Sequence, residues 1–164
     1  NNGFVNVYSE PGVGTTFRLY LPRQTGQIEE RHEETSEVMP MGQGETLLVV
    51  EDEATILTLN RVMLEQLGYT VLAAGAPDEA LQLAKTHGEN IRLLITDVIM
   101  PEMNGRDLAR LIATCCPTIK TLFMSGYTAN VIAHRGVLDE GVHFIAKPFA
   151  TRELAVKIRE LLHG

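Results

Sequence analysis

The chain has 164 residues and a formal net charge of −7, and 45% of its residues are hydrophobic. This length and apolar content predict one core-forming domain of ordinary size with a modest additional piece. The negative charge argues against a nucleic-acid surface, and without any run of about 18 apolar residues we expect no membrane contact. The chain starts without Met and within a strand-like pattern, so we interpret it as a fragment of a longer protein.

Residues 3–21 predict a β-hairpin. Apolar and polar residues alternate on both sides of a central stretch that is rich in turn formers. A lone hairpin is only marginally stable, so we expect these strands to belong to a larger sheet. The polar, glutamate-rich stretch that follows predicts a linker. We place the boundaries at 1–22 for the hairpin piece, 23–45 for the acidic linker and 46–164 for the main domain.

Strand and helix patterns alternate five times from Thr46 onward. This alternation predicts a doubly wound α/β domain with a five-stranded parallel sheet. On the first helix we expect Ile56, Leu59, Met63 and Leu67 to face the core. The predicted strands are 46–50, 69–73, 92–96, 119–123 and 142–146, and the predicted helices are 54–67, 78–87, 105–115, 129–139 and 151–162.

The two cysteines of the chain, Cys115 and Cys116, are adjacent within a predicted helix. Their spacing is that of neither a metal site nor a redox pair. We interpret them as reduced, half-buried thiols, as expected in the cytoplasm.

Chemically complementary side chains follow the predicted strands. Acidic residues 51–53 come after the first strand, Asp97 ends the third, Ser125 and Gly126 follow the fourth, and Lys147 follows the fifth. The carboxyl ends of parallel strands lie at one edge of the sheet, where ligands bind in such folds. We therefore expect these groups to converge there.

An acidic cluster of this kind needs a cation, because two unit charges 4 Å apart repel by roughly 4 kcal/mol at an effective dielectric of about 20. All-oxygen ligands favour Mg²⁺ over Zn²⁺. Asp97 is suited to be a nucleophile toward a phosphoryl group, whose three oxygens need electrophilic partners. Mg²⁺, the Lys147 ammonium and the Ser125 hydroxyl can supply them, and Gly126 leaves space beside Ser125.

These motifs resemble the receiver domain of two-component signalling: an acidic pair, D-x-x-M-P-x-M-x-G, S-G and K-P-F, each after its strand. The resemblance implies a flavodoxin-like sheet of order 2-1-3-4-5 and a Mg²⁺ cofactor. It also implies a cis Lys147–Pro148 bond. The implied site residues are Asp97 as phosphoacceptor, Asp52 as direct metal ligand, Glu51 as metal support, Ile99 as a ligand through its backbone carbonyl, Ser125 as switch hydroxyl, Lys147 as phosphate ligand and Phe144 as aromatic switch.

The hairpin resembles the last two strands of the ATP-binding domain of sensor histidine kinases. Together with the receiver motifs, it implies part of a hybrid sensor histidine kinase, cytoplasmic or on the cytoplasmic side of a membrane-anchored kinase. The expected partners are a histidine kinase dimerisation and phosphotransfer domain or a histidine phosphotransfer protein. Phosphorylation is expected to alter the face formed by 128–162, which could also support a homodimer. The kinase core is missing, so the fragment would promote only its own phosphorylation and dephosphorylation.

Three other functions are compatible with part of this pattern. A receiver-like interaction module would bind partners without being phosphorylated. A flavodoxin-like cofactor carrier would need a phosphate loop after the first strand, where the acidic residues repel phosphate. A phosphatase of the haloacid dehalogenase type would normally have a second Asp where this chain has Ile99.

The lifetime of a phosphorylated Asp97 depends on access of water to its phosphorus atom. Ile99 and Tyr127 each lie two residues beyond a site residue, and neither can position a nucleophilic water. We expect these two side chains to form a gate that makes self-dephosphorylation slow.

Overall fold

The computed structural model describes residues 3–22, 39–126 and 142–163, and the chain divides into two compact units, Asn1–Val38 and Met39–Gly164. The predicted helix at 129–139 lies outside the described residues. Along the chain, the described elements are β1 (Phe4–Glu10), β2 (Gly14–Tyr20), β3 (Thr46–Val50), α1 (Ala54–Gln66), β4 (Thr70–Ala74), α2 (Pro77–His87), β5 (Ile91–Asp97), α3 (Gly105–Cys115), β6 (Lys120–Ser125), β7 (His143–Ala146) and α4 (Thr151–His163).

The first unit contains the predicted antiparallel hairpin. Strands β1 and β2 pair in register from Phe4 opposite Tyr20 to Glu10 opposite Gly14. Gly12, in the turn, has φ of 79°, a left-handed conformation that glycine adopts without steric cost. Both strands are exposed along their whole length, including the stacked rings of Phe4 and Tyr20.

The second unit is built on a five-stranded parallel sheet in the order β4-β3-β5-β6-β7. This confirms the predicted 2-1-3-4-5 order. Strand β3 shows why its sequence is continuously apolar. Leu47 and Val49 join one core cluster, whereas Leu48 and Val50 join the other. Since successive side chains point to opposite faces, a strand with both faces covered must be apolar at every position.

Helices cover both faces of this sheet. Leu64 of α1 and Leu154 of α4 belong to the core cluster on one face. Ala80 of α2 and Leu108 of α3 belong to the cluster on the other. The result is a three-layer α/β architecture in which the carboxyl ends of the strands share one edge. In the described part of the chain, no helix combines the length and the apolar character needed to cross a membrane.

The buried face of α1 differs from the prediction. Leu67 is buried as expected, but Leu59 is 64% exposed, whereas Asn60 is buried with Leu64. Met63 packs against the core as expected. The prediction was wrong at Leu59, because apolar residues lie on most sides of this helix and more than one apolar face fits the helical period. The Asn60 amide lies 4.0 Å from the sulfur of Met124.

The residues just before β3 pack onto the second unit rather than lying apart from it. The Gly42 amide donates to the Leu67 carbonyl at 2.7 Å, and the Thr70 amide donates to the Glu45 carbonyl at 3.0 Å. Arg159 of α4 forms an ion pair with the Glu45 carboxylate at 2.5 Å. We call residues 39–45 the strap. The compact unit therefore begins at Met39, within the segment predicted as linker; residues 23–38 lie outside the described residues.

Candidate functional site

Three carboxylates meet at the carboxyl edge of the sheet, as the strand ends predict. Glu51 and Asp52 follow β3 directly, and Asp97 is the last residue of the neighbouring β5. Each side chain offers an oxygen within 4.8 Å of an oxygen of the other two. Two loop-forming sequences on adjacent strands thus produce one dense patch of negative charge.

The three acids differ in exposure. Glu51 is only 2% exposed, whereas Asp52 is exposed and the Asp97 side chain is 16% exposed. Burial raises the pKa of Glu51, and this outweighs the lowering by the nearby Lys147 ammonium. Asp52 and Asp97 are therefore the acids that an incoming ligand can reach from solvent.

Lys147 reaches this patch from the end of β7. Its bond to Pro148 is cis, as predicted. The Lys147 ammonium donates to Glu51 Oε2 at 2.5 Å and to Asp97 Oδ2 at 2.8 Å. Burial alone would lower the pKa of Lys147, but hydrogen bonds and charge attraction from Asp97 and Glu51 outweigh it, so the pKa is raised. The ammonium is therefore held charged between the two acids.

The charge and ligand types of this cluster fit a divalent cation. Three carboxylates and one ammonium leave an excess of two negative charges. Oxygen ligands on two loops, with one acid open to solvent, suit Mg²⁺, which keeps several of its waters. The Ile99 amide lies 3.4 Å from Asp97 Oδ1, so the loop after β5 folds back over the Asp97 carboxylate. The ligands of such an ion would be Asp52, Asp97 and the Ile99 carbonyl. The buried Glu51 would support the ion without being a direct ligand.

Of the remaining predicted residues, Ser125 and Gly126 lie at the same edge, and Phe144 lies within β7. Ser125 ends β6, is 1% exposed, and its carbonyl accepts a 2.7 Å hydrogen bond from the Lys147 amide. Among the described residues, no atom lies within 4 Å of a Cβ added at Gly126. Phe144 is half-buried and packs against the cluster of Val98 and Phe123. Tyr127, the second predicted gate residue, lies outside the described residues.

Two further residues support the loop that follows Asp97: Gly105, the last residue of the D-x-x-M-P-x-M-x-G motif, and Asn104, which was not singled out in the sequence. A Cβ on Gly105 would lie 2.1 Å from the Asp97 carbonyl oxygen, so the start of α3 can approach β5 only with glycine there. The Asn104 side chain caps α3 by accepting from the Asp107 amide at 2.9 Å. The Asn-Gly pair before the predicted helix is the sequence signal for this helix start. The close approach of Gly105 to Asp97, however, depends on the tertiary packing of α3 against β5.

Comparison with known proteins places this geometry in a family context. The family model described as "Response regulator receiver domain" matches residues 47–159. Among curated proteins, the sensor kinase CckA of Brucella abortus is 32% identical over 167 residues, covering 98% of this chain and 18% of that protein. The response regulator receiver protein CpdR of the same organism is 29% identical over 116 residues, covering 71% of this chain and 95% of that protein.

Solved structures agree in fold. The crystal structure of the receiver domain from the hybrid histidine kinase CckA is 33% identical and has a TM-score of 0.62, covering 72% of this chain and 99% of that one. The chain spans about half the length of several transcriptional regulators that it matches, such as the alkaline phosphatase synthesis regulator PhoP of Bacillus subtilis at 48%.

Proposed function

The chain belongs to the response regulator receiver family of two-component signalling, and from that membership we propose that Asp97 accepts a phosphoryl group from a phosphohistidine. The convergence of Glu51, Asp52, Asp97 and Lys147 at one sheet edge carries this proposal. In this assignment an Asp97 oxygen forms the new bond to phosphorus while the phosphorus–nitrogen bond of the donor breaks. The leaving imidazole keeps the electron pair and takes up a proton.

Lys147 has two consecutive roles in the proposed reaction. Before transfer, its ammonium offsets the repulsion between Glu51 and Asp97, with which it forms ion pairs at 2.5 and 2.8 Å. After transfer, Asp97 carries the phosphoryl group, and the same ammonium is close enough to bind one phosphoryl oxygen. Asp52 and Asp97 would hold a Mg²⁺ ion, which would supply positive charge to a second oxygen. The third oxygen is assigned to the Ser125 hydroxyl.

The switch assigned to Ser125 and Phe144 would connect the site to the face formed by 128–162. Phe144 lies beside Phe123 in the paired strands β6 and β7, two residues before Ala146, which pairs with Ser125. Movement of the Ser125 hydroxyl toward the phosphoryl group would leave space into which the Phe144 ring can turn. Phosphorylation would thereby favour one of two packed states of this face, which could also form a homodimer.

The donor must bring its phosphohistidine to the exposed side of Asp97. Helix α1 begins two residues after Asp52, and Leu59 and Val62 on its outer surface are 64% and 45% exposed. These apolar side chains next to a charged site suit the helix of a histidine kinase dimerisation and phosphotransfer domain or of a histidine phosphotransfer protein. We assign α1 as part of that docking surface.

The parent protein is assigned as a hybrid sensor histidine kinase acting in the cytoplasm. An alignment with a sensor kinase extends over 98% of this chain, beyond the part that matches the receiver family. Residues 1–22 would then be the last strands of an ATP-binding domain, and a hairpin exposed on both faces agrees with a missing remainder of its sheet.

Treatment with acetyl phosphate and Mg²⁺, followed by intact-mass measurement, tests the assignment. We expect one added phosphoryl group in the wild type and none in Asp97→Asn, because the amide cannot act as the nucleophile. Asp78→Asn, which removes a carboxylate from α2 instead, should be modified like the wild type.

Incorporation at the wild-type rate by Asp97→Asn would overturn the acceptor assignment. No incorporation by the wild type, even from a phosphorylated histidine donor, would favour the unphosphorylated interaction module. Visible absorption by the purified protein would point instead to a bound flavin.

A further inference from the structure

Thr96 is a polar residue buried inside the strand that ends at the acceptor. It lies directly before Asp97 in β5, is 0% exposed and follows the buried apolar residues 93–95. Its neighbours in the sheet are Val50 of β3 and Phe123 of β6, both buried and apolar. A hydroxyl group in such surroundings loses its bound water and must find a hydrogen-bond partner within the protein.

The Thr96 hydroxyl finds this partner in the main chain of the acceptor itself. It donates to the Asp97 carbonyl oxygen at 3.1 Å and lies 3.9 Å from the sulfur of Met100. A thioether is a weak acceptor, so the carbonyl takes the stronger bond. Asp97 and Met100 begin and end the segment that includes Ile99, whose carbonyl is assigned to the metal. One buried side chain therefore contacts both ends of that segment.

The start of α3 packs against the same carbonyl. A Cβ on Gly105 would lie 2.1 Å from the Asp97 carbonyl oxygen and 3.1 Å from Cγ2 of Thr96. The Gly105 amide donates to the Val98 carbonyl at 3.0 Å, and the Val98 amide donates to the Met124 carbonyl at 2.9 Å. The main chain just after Asp97 is therefore held by α3 and β6, and the Thr96 hydroxyl holds the Asp97 carbonyl itself.

We propose that Thr96 is a positioning residue for phosphoryl transfer to Asp97, acting through its hydrogen bond to the Asp97 carbonyl. This inference rests on the proposed function of Asp97 as acceptor. The bond fixes the main chain from which the carboxylate projects, and with it the Ile99 carbonyl. An attacking oxygen must lie in line with the bond that breaks, and a displacement of about 1 Å can reduce a rate by roughly 100-fold. Threonine is common in strands, so nothing in the sequence of β5 marks this role.

Hydrogen exchange and phosphoryl uptake of the full chain test this role. In metal-free buffer, Thr96→Val, which keeps the shape but lacks the hydroxyl, should exchange the amides of residues 97–100 several-fold faster than the wild type. With acetyl phosphate and Mg²⁺, it should take up the phosphoryl group roughly tenfold more slowly by intact mass and need more Mg²⁺ for half of its maximal rate. Thr96→Ser, which keeps the hydroxyl, should stay close to the wild type in both measurements. The control Thr121→Val, on β6 opposite Leu94, should match the wild type.

Wild-type exchange and uptake rates in Thr96→Val would overturn the proposal. So would a Thr96→Ser protein as slow as Thr96→Val, because the methyl contact rather than the hydroxyl would then matter. If Thr96→Val does not fold, Thr96→Ala provides a second comparison: it differs from Thr96→Ser only by the hydroxyl oxygen, and equal rates in these two would also overturn the role. A wild type that takes up no phosphoryl group would instead overturn the proposed function, and the metal-free exchange rates would still report the Thr96 hydrogen bond.

Discussion

At Lys147 a single ammonium group offsets two carboxylates, one of which is almost completely buried. Removing the cation leaves Glu51 and Asp97 unpaired, and breaking a buried ion pair from one side costs about 3 kcal/mol. We therefore expect Lys147→Met to lower the free energy of unfolding by about that amount in metal-free buffer. Lys85→Met, at an exposed position on α2, should have little effect.

The thermal stability of Lys147→Met should depend more strongly on Mg²⁺ than that of the wild type. Without the Lys147 ammonium, a divalent ion would supply the counter-charge that this group provides in the wild type, so the rise in Tm on adding saturating Mg²⁺ should exceed that of the wild type. An equal rise in the two proteins would contradict competition between the ammonium and the metal at this site.

Ile99 lies at the mouth of the site and is 48% exposed. An apolar side chain there disfavours an ordered water in line with the Asp97–phosphorus bond. We expect Ile99→Asn to lose its phosphoryl group several-fold faster, a barrier change of about 1 kcal/mol, as followed by intact mass after phosphorylation. Leu111→Asn, which changes an exposed residue of α3, should keep the wild-type half-life. An unchanged half-life for Ile99→Asn would place the gate elsewhere.

At the scale of elements, α3 and β5 meet through a contact that excludes any side chain. The Cβ of Gly105→Ala would lie 2.1 Å from the Asp97 carbonyl oxygen, and this backbone atom can move only together with the rest of Asp97. We expect the variant to lose about 3 kcal/mol of stability in urea unfolding and to accept phosphate more slowly.

Gly75→Ala provides the matched control for this contact. Among the described residues, its added Cβ would meet only a Glu79 carboxylate oxygen at 3.9 Å, which is ordinary van der Waals contact. If the two variants unfold at the same urea concentration, the close approach of α3 to β5 does not limit stability.

At the scale of the whole molecule, the strap extends the second unit beyond its sheet. It adds backbone hydrogen bonds from Gly42 to Leu67 and from Thr70 to Glu45, and a Cβ on Gly42 would lie 2.6 Å from the Tyr69 ring. We expect residues 39–164 to be more stable than residues 46–164 by about 2 kcal/mol, measured by urea unfolding. Equal stabilities would mean that the strap adds nothing to the fold.

The extra stability of residues 39–164 over residues 46–164 should depend on pH. Burial alone would raise the pKa of Glu45, but hydrogen bonds from the Gln43 and Glu45 amides and the Arg159 guanidinium outweigh it, so the pKa is lowered. A lowered pKa means that this stabilisation is present above the unfolded value of 4.5 and is lost as the pH falls through the folded value. We expect the stability difference between the fragments to be larger at pH 7 than at pH 3.

The residue pattern by itself determined a five-stranded parallel sheet and the edge at which the acidic groups meet, whereas the strand order followed from the resemblance to receiver domains. Continuous apolar strands require two covered faces, and parallel strands bring their carboxyl ends together, so Asp97 and Lys147 could be placed from their positions along the chain. The convergence of Glu51, Asp52 and Asp97 agrees with that expectation.

Only the tertiary structure decided features that depend on packing partners. The face of α1 that is buried could not be chosen from a helix that is apolar on most sides, and the core selected Asn60 over Leu59. The Glu51–Lys147 pair joins residues 96 positions apart, and no local pattern encodes that distance. The strap looked like a linker because its polar residues resemble one; its hydrogen bonds exist only because the end of α1 lies beside it.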